Sequence, residues 1–196
     1  ILHDFDIETI DLEKLGIPVS ADEDAIESYP TFEENALAKA RYFHGLTGMP
    51  TIGDDSGVVV DALDGAPGVL SKRYSGRSDL AGVELDAANN RKLLRELERC
   101  DVERAARNEP PATRSARYVS VAAYVDRVSE SVREGVIEGR IIDVPRGTDG
   151  FGYDPYFEVP ELGGTFAEAS WELKSRLSHR ARSFRALIPA LRVRVE

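Results

Sequence analysis

The sequence predicts an α/β protein in which a long mixed β-sheet is flanked by helices. Segments with helical spacing of apolar residues alternate along the chain with segments rich in β-branched residues. Two β-rich segments follow each other across a short polar link, as in an antiparallel pair, whereas others are separated by long helical segments, as in crossovers. With 196 residues, the chain is predicted to form a single domain over residues 1–196, with two lobes around a cleft.

The first predicted elements are a short strand and a helix. We expect the strand at residues 7–10, after the end of a preceding helix. The next helix begins at Thr31, because Thr31 and Glu34 have the spacing of a capping box, and Gly45 and Gly48 are expected to end it. Its apolar residues recur at helical spacing, namely Phe32, Ala36, Ala40 and Phe43.

The middle of the chain contains the stretch "TIGDDSGVVV". Residues 49–63, which include it, are predicted to form one strand or a hairpin. Residues 63–76 are rich in Gly and Pro and predict a loop, and residues 78–99 predict a second helix. Residues 100–114 are charged and contain Pro, which predicts an exposed, mobile connection.

The last third of the chain contains the antiparallel pair. In residues 115–126 and 131–142, β-branched residues alternate with small or polar ones, and a short link joins the two segments. Residues 143–160 predict a loop. Residues 165–192 predict one or two terminal helices, the second of them capped by Ser178.

Charge and composition exclude several classes of function. The chain has a formal net charge of −10, and nucleic-acid binding needs a basic surface, so we expect no nucleic-acid partner. Its apolar runs are too short for a transmembrane helix, and we expect no membrane partner. The single Cys100 and the three His provide neither an internal disulfide nor a zinc spacing, which fits a cytoplasmic location.

Asp54 and Asp55 are the first candidates for a chemical role. Neighbouring residues of a strand point to opposite faces, so these two carboxylates are not expected to share a site. One of them can bind Mg²⁺ or act as a base for water, since Mg²⁺ takes one or two carboxylates and completes its shell with waters and phosphates. The alternative is a polar strand end that needs its glycines only for turning.

Glu34 is the second candidate carboxylate. Its spacing from Thr31 already explains it as a capping partner, and most such patterns have no further role. However, the first turn of a helix favours phosphate, and Asn35 and Lys39 lie four residues apart on one face near that end. A carboxylate, an amide and an amine at this place can serve a metal ion and a phosphate chain together.

The segment "FGYDP" and the C-terminal segment "ELKSRLSHR" complete the candidates. In the functional interpretation, Phe151 stacks on a planar base and Asp154 hydrogen-bonds nearby; in the alternative, the segment is a surface turn whose aromatic residues cover the core. Lys174, His179 and Arg180 lie within two helical turns. A single His at a helix end is more often a structural hydrogen-bonding group than a catalyst.

Several motifs occur in one order along the chain, namely "TFEENALAKA", "GDDSGVVVDALDGAPGV", "ANNRKLL", "GFGYDP", "TFAE" and "K-x-x-x-SHR". Together they closely resemble the Ham1-like inosine triphosphate pyrophosphatase family, from Ile7 to Leu191. The resemblance implies a long mixed sheet between two lobes, with a nucleotide in the cleft between them. It also implies a homodimer that needs Mg²⁺ and cleaves a purine nucleoside triphosphate such as ITP, dITP or XTP to the monophosphate and pyrophosphate.

The resemblance assigns roles to individual residues. It makes Asp55 the base and a metal ligand, Glu34 the second metal ligand and Lys39 the phosphate-binding residue, with Asn35 and Ser56 contacting substrate. It makes the remaining residues a pocket for a 6-oxo purine, namely Phe151, Gly152, Tyr153, Asp154, Lys174, His179 and Arg180. A donor in such a pocket pairs with the 6-carbonyl of inosine or xanthosine and is left unpaired by the 6-amino group of adenine.

Two alternatives and one departure accompany this resemblance. The family's N-terminal strand and its Ser/Thr-x-Asn-x-x-Lys phosphate loop have no counterpart in this sequence, and we expect that they precede Ile1 in the natural protein. Without that loop, the alternative is a nucleotide-binding protein without turnover. The other alternative is a septum-inhibitor-type pyrophosphatase with a different base preference, from which the "SHR" and "FGYD" motifs point away.

Overall fold

The protein contains a five-stranded sheet in which strands adjacent in space are consecutive in the sequence. The computed structural model describes Leu2, Phe5, residues 7–17, Ile26 and residues 28–192. The strands are β1 (Thr51–Val60), β2 (Ser115–Val125), β3 (Glu130–Ile141), β4 (Phe157–Val159) and β5 (Gly164–Thr165). Residues 49–63 therefore contain one strand and no hairpin.

Helices precede and follow these strands. Within residues 28–192, the α-helices are α1 (Phe32–Thr47), α2 (Gly82–Ala106), α3 (Trp171–Leu177) and α4 (His179–Arg192). Short 3-10 helices occupy Asp61–Leu63, Gly68–Arg73, Asp154–Tyr156, Pro160–Leu162 and Phe166–Glu168. This arrangement confirms the α/β class. In the described part of the chain, no helix is both long enough and apolar enough to cross a membrane.

The sheet is antiparallel where the sequence suggested mixed pairing. β3 pairs with β4, and β4 with β5, in antiparallel register. The connection from β2 to β3 is a tight turn in which the carboxylate of Asp126 accepts hydrogen bonds from the N–H groups of Val128 and Ser129, both at 2.8 Å. A turn this short joins antiparallel neighbours, which confirms the predicted pair.

The long helix α2 does not act as a crossover between parallel strands. Val58 and Val60, near the end of β1, pack in the same core cluster as Ala116 and Tyr118, near the start of β2. The two strands therefore run in opposite directions. The physical reason is that α2 packs its buried Leu93 and Leu97 into this same cluster, and so returns the chain to the end of the sheet that it left.

The chain divides into two compact units made of separate segments. The first unit comprises Ile1–Asp55, Ser120–Val136 and Ser175–Glu196, and the second comprises Ser56–Val119 and Ile137–Lys174. In the first unit, buried alanines of α1 pack against β2, with Ala36 and Ala40 beside Val121 and Ala123. In the second unit, the largest fully buried side chain is Phe157.

Three sequence predictions need correction. Residues 7–10 form no strand; the N–H of Ile7 donates to the carbonyl of Leu2 (3.3 Å), so the hydrogen bonding is local. The helix α2 continues to Ala106, because neither Gly nor Pro interrupts the chain between Gly82 and Pro110. The connection after it is held to the helix, since the N–H of Ala112 donates to the Asp101 carboxylate (2.7 Å).

The C-terminal helices are separate, and Ser178 lies between them. Its hydroxyl accepts a hydrogen bond from the N–H of Ala181 (3.2 Å), which confirms the predicted cap. The first turn of α4 lies very close to β3 at Gly135. A Cβ atom on Gly135 would lie 2.2 Å from the carbonyl oxygen of His179 and 2.3 Å from the nitrogen of Ser183. Only glycine allows this approach.

Replacement of Gly135 tests this contact. In Gly135→Ala, the added methyl group meets backbone atoms, and we expect a loss of about 1–3 kcal/mol in the free energy of unfolding. The control is Gly45→Ala in α1, where a Cβ meets nothing within 4 Å. That change should stabilise the protein by about 0.5–1 kcal/mol. Urea unfolding of both variants measures the difference, and equal stabilities would contradict the packing described for α4.

The packing of α4 also predicts a pH dependence. Burial, with a smaller contribution from the charge of Arg180, lowers the pKa of His179 to about 3. The histidine of the unfolded chain has a pKa of about 6.5, so below that pH the unfolded chain binds a proton that the folded state does not bind. The contribution of His179 to the free energy of unfolding is therefore complete above about pH 6.5. It decreases as the pH falls below that value, by up to about 1.4 kcal/mol per pH unit.

Urea unfolding between about pH 7.5 and pH 5 measures this slope, because most carboxylates titrate below that range. The variant His179→Gln should show a clearly smaller slope than the wild type. The control is His44→Gln, which changes a half-buried histidine of α1 whose ring nitrogen lies 2.6 Å from the carbonyl oxygen of Met49, and it should change the slope less than His179→Gln. A His179→Gln variant with an unchanged slope would mean that this imidazole takes up its proton in the folded state.

Candidate active site

The predicted site residues form two groups, each within one unit. Helix α1 and strand β1 supply most of the first group, and they can do so because Gly53 brings them close together. A Cβ atom on Gly53 would lie 2.8 Å from the carbonyl oxygen of Ala36 and 2.9 Å from the nitrogen of Ala40. At this distance, side chains that point from α1 towards β1 reach the strand residues that follow Gly53.

The carboxylate of Asp55 is the central acceptor of the first group. The amine of Lys39 lies 3.1 Å from its Oδ1, and the amide nitrogen of Asn35 lies 3.2 Å from its Oδ2. The side chains of Lys39 and Asp55 are only 18% and 13% exposed. Asn35 is itself held, because its amide oxygen accepts the N–H of Tyr29 (3.0 Å). Lys39 and Asn35, two of the predicted site residues of α1, thus both contact Asp55.

Asp54 points to different partners, as expected for neighbours in a strand. Its Oδ2 accepts a hydrogen bond from the Nε of Arg180 at 2.8 Å. The sequence assigned Arg180 to the base pocket, and the structure places it against this carboxylate in the first unit. His179 precedes it at the start of α4, and its lowered pKa keeps the imidazole neutral.

Glu34 forms the capping contact that its spacing predicts. The hydroxyl of Thr31 donates to its Oε2 (2.7 Å), and the N–H of Glu34 donates to the Thr31 hydroxyl (3.2 Å). The carboxylate is exposed and lies next to Asn35, whose amide contacts Asp55. The two hard oxygen donors Glu34 and Asp55 suit Mg²⁺, which needs few protein ligands. Among the residues described, no group of three or more His, Cys, Asp or Glu could hold a metal ion.

The second group centres on the loop that contains "FGYD". The ring of Phe151 is 72% exposed, so it covers no core. Tyr153 is buried instead, and its hydroxyl donates to the carbonyl of Ser71 (2.8 Å). Burial raises the pKa of Tyr153, which stays a neutral donor. The two aromatic residues of this loop therefore differ, since one anchors the loop and the other presents its ring to solvent.

Asp154 is a buried carboxylate with two partners. Its Oδ2 lies 3.2 Å from the amine of Lys174, and its Oδ1 accepts the hydroxyl of Tyr118 at 3.1 Å. Burial raises the pKa of Asp154, and the nearby Lys174 charge and the Tyr118 hydroxyl oppose that shift. Burial likewise raises the pKa of Tyr118 well above its usual value. Asp154 thus holds the amine of Lys174, which was predicted to be a donor to the base. One donor of that amine is already used in the contact with Asp154.

Sequence reasoning missed Tyr118 and Gly150. Tyr118 lies in a strand among apolar residues, and nothing in its neighbourhood along the chain indicates a carboxylate partner. Gly150 adopts a φ of +99°, and a Cβ there would lie 2.1 Å from the Oδ2 of Asp154. Its place directly before "FGYD" was the available signal. Ser56, the remaining predicted residue, is half-buried on β1 and begins the second unit.

Comparisons with known proteins show the family of the chain. The chain matches the model of the Ham1 family over residues 1–190. A dITP/XTP pyrophosphatase of Ralstonia nicotianae is 44% identical over 183 residues, which are 92% of this chain and 82% of that protein. A dITP/XTP pyrophosphatase of Neisseria meningitidis is 44% identical over 168 residues, which are 84% of this chain and 77% of that protein.

Solved structures give the same result. A HAM1 protein from Coxiella burnetii superposes with a TM-score of 0.78 and 36% identity, over 97% of this chain and 88% of that chain. The Ham1 protein of Staphylococcus aureus gives a TM-score of 0.77 and 34% identity, over 96% of this chain and 91% of that chain. With the family model and these relatives, the conclusion is that the chain belongs to the Ham1 family.

Proposed function

We propose that the protein is a Mg²⁺-dependent pyrophosphatase for non-canonical purine nucleoside triphosphates. It converts ITP, dITP and XTP to the monophosphate and pyrophosphate, and so cleanses the nucleotide pool. The observation that carries the proposal is the contact of Asp55 with Lys39 and Asn35. The names of the Ralstonia and Neisseria relatives, both dITP/XTP pyrophosphatases, support the same activity.

Asp55 acts as the base for water in this proposal. The water oxygen attacks the α-phosphorus, the bond from that phosphorus to the α–β bridging oxygen breaks, and its electron pair leaves with pyrophosphate. The proton lost by the water goes to a carboxylate oxygen of Asp55. An ionised carboxylate has about four lone-pair positions, so Asp55 can accept this proton while its contacts with Lys39 and Asn35 remain.

Lys39 and Mg²⁺ would neutralise part of the negative charge of the triphosphate. Pyrophosphate leaves readily once its developing charge is stabilised by fixed cations. Lys39 supplies one such cation, and its amine contacts the carboxylate of Asp55 in a place with little access to solvent. Glu34 and Asp55 would hold the metal ion, which supplies further charge neutralisation and an oriented water when bound. We propose that Asn35 and Ser56 make polar contacts to the same substrate.

The second group supplies selectivity for the base. Phe151 offers an exposed ring face on which a purine can stack. The ammonium group of Lys174 has three donors, of which Asp154 takes one, and a 6-carbonyl can accept another. A 6-amino group cannot accept, and it leaves that donor unpaired. We propose that Gly152, Tyr153, His179 and Arg180 complete the contacts to the nucleotide, and that the enzyme is a cytoplasmic homodimer.

Release of pyrophosphate from ITP, dITP, XTP, ATP and GTP, with and without Mg²⁺, tests the activity. We expect release only from the first three and only with the metal. In Asp55→Asn, the base is lost while the side-chain shape remains, and kcat should fall by a factor of about 10²–10⁴. The matched control is Asp64→Asn, which removes an exposed carboxylate from a turn of the second unit.

Two results would contradict this proposal. Binding of ITP by the wild type without any pyrophosphate release, at every Mg²⁺ concentration tried, would indicate a nucleotide-binding protein without turnover. Equal rates for pyrimidine and purine triphosphates would favour the septum-inhibitor type of pyrophosphatase. Full activity in Asp55→Asn would remove Asp55 from the reaction and leave the base unassigned.

Replacement of Phe151 tests the stacking role separately. Because this ring is exposed, Phe151→Ala should change the free energy of unfolding by no more than about 0.5 kcal/mol. Loss of base stacking should raise the KM for ITP by about 5- to 100-fold, with a smaller effect on kcat. The control is Val128→Ala, at an apolar residue that is 85% exposed. An unchanged KM in Phe151→Ala would show that this ring does not contact the base.

A further inference from the structure

Two side chains of α2 form hydrogen bonds with the "FGYD" loop. Asp86 and Asn90 lie four residues apart, so they stand one above the other on the same face of the helix. Both contact Gly152, the residue between the exposed ring of Phe151 and the buried ring of Tyr153. These contacts lie entirely within the second unit.

The two contacts engage opposite sides of Gly152. The carboxylate of Asp86 accepts the N–H of Gly152 through Oδ2 at 2.7 Å. The amide nitrogen of Asn90 donates to the carbonyl of Gly152 at 2.8 Å and to the carbonyl of Asp86 at 2.9 Å. The first contact fixes the peptide plane that links Phe151 to Gly152, and the second fixes the plane that links Gly152 to Tyr153.

One backbone contact acts beside the two side chains, since the N–H of Asp154 donates to the carbonyl of Phe151 at 3.2 Å. Side-chain packing does not hold Gly152 itself. The residue has a φ of +62°, and a Cβ there would meet nothing within 4 Å, so packing does not hold it. Packing does not fix the ring of Phe151 either, because that ring is exposed. The direction in which that ring projects depends on the backbone around Phe151. On its C-terminal side, Asp86 and Asn90 hold that backbone together with the hydrogen bond from Asp154.

The orientation of the Asn90 amide is settled by its surroundings. Asn90 is 5% exposed, and its nitrogen faces two carbonyl oxygens, which an amide oxygen would repel. Among the described residues, its Oδ1 has no hydrogen-bond partner. A buried amide is costly unless it forms hydrogen bonds, so the two donated bonds account for its presence in α2.

We infer that Asp86 and Asn90 are positioning residues for the base-contacting loop. This inference rests on the proposed function, and it extends the site to α2, which carries none of the predicted substrate contacts. The two side chains do not touch the nucleotide. They hold the Phe151–Gly152–Tyr153 backbone in one conformation before the nucleotide binds, so that binding does not have to order the loop.

The main variant is Asp86→Ala, which removes the acceptor for the N–H of Gly152. We expect the KM for ITP to rise about tenfold and kcat to change less than threefold, because a hydrogen bond to a charged group is lost far from the reacting phosphates. The preference for ITP over ATP, expressed as a ratio of kcat/KM values, should fall as well. The control is Glu84→Ala, which removes an exposed carboxylate from the same turn of α2.

Conservative variants separate positioning from charge. Asp86→Asn keeps an oxygen that can accept the N–H of Gly152, so it should restore most of the wild-type KM. Asn90→Asp should raise the KM for ITP more than Asn90→Ala does, since a carboxylate would face the carbonyl oxygens of Gly152 and Asp86. Urea unfolding of each variant checks that it is folded under the assay conditions.

A double-mutant cycle with Phe151→Ala provides a readout that a merely structural role would not move. If Asp86 acts by placing the ring of Phe151, then Asp86→Ala should raise KM little further in a Phe151→Ala background. Full additivity of the two changes in log KM would overturn the inference. So would an unchanged KM and unchanged ITP preference in Asp86→Ala and Asn90→Ala, both folded.

Calorimetric titration with ITP keeps this test distinct from the test of the proposed function. If the wild type binds ITP without turnover, the dissociation constant replaces KM, and the same tenfold change in Asp86→Ala supports the inference. If the wild type binds no purine triphosphate, the proposed function fails, and the role assigned to Asp86 and Asn90 fails with it.

Discussion

The half-buried carboxylate of Asp55 is the constraint on which the first unit depends. A carboxylate with little solvent access is costly unless charges and donors compensate it. Lys39 and Asn35 provide that compensation, and both come from one face of α1. Helix and strand must then lie close together, which only a glycine at position 53 permits. The same pairing keeps the amine of Lys39 where a triphosphate needs it, so the requirement for stability and the proposed chemistry coincide.

The second unit repeats this principle with different residues. Asp154 is more deeply buried than Asp55, and Lys174 and Tyr118 compensate it from α3 and β2. The raised pKa of Asp154 shows that burial outweighs these partners. The buried Asp154 carboxylate also contacts the amine of Lys174 and holds it in place. In the proposed function, the carboxylate of Asp55 takes up a proton, and the carboxylate of Asp154 positions a donor.

Close contacts at glycine recur wherever a functional side chain is placed. Gly135 lets the first turn of α4, which carries His179 and Arg180, approach β3. Gly150 leaves room for the Asp154–Lys174 pair. At these positions a Cβ would overlap backbone or charged atoms, so substitution would displace the functional group and not merely remove a contact. At Gly135 and Gly150, glycine thus acts by allowing close approach.

The sequence by itself determined the α/β class, the cap at Thr31, the separation of Asp54 from Asp55 and the family motifs. Each of these depends on spacing over a few residues, which local geometry converts directly into structure. It could not determine that β1 and β2 are antiparallel, that α2 extends to Ala106, or that Tyr118, Asp86 and Asn90 hold "FGYD". Those facts depend on contacts between segments far apart in the chain, and only packing of the tertiary structure, which decides which buried polar groups find partners, brings such segments together.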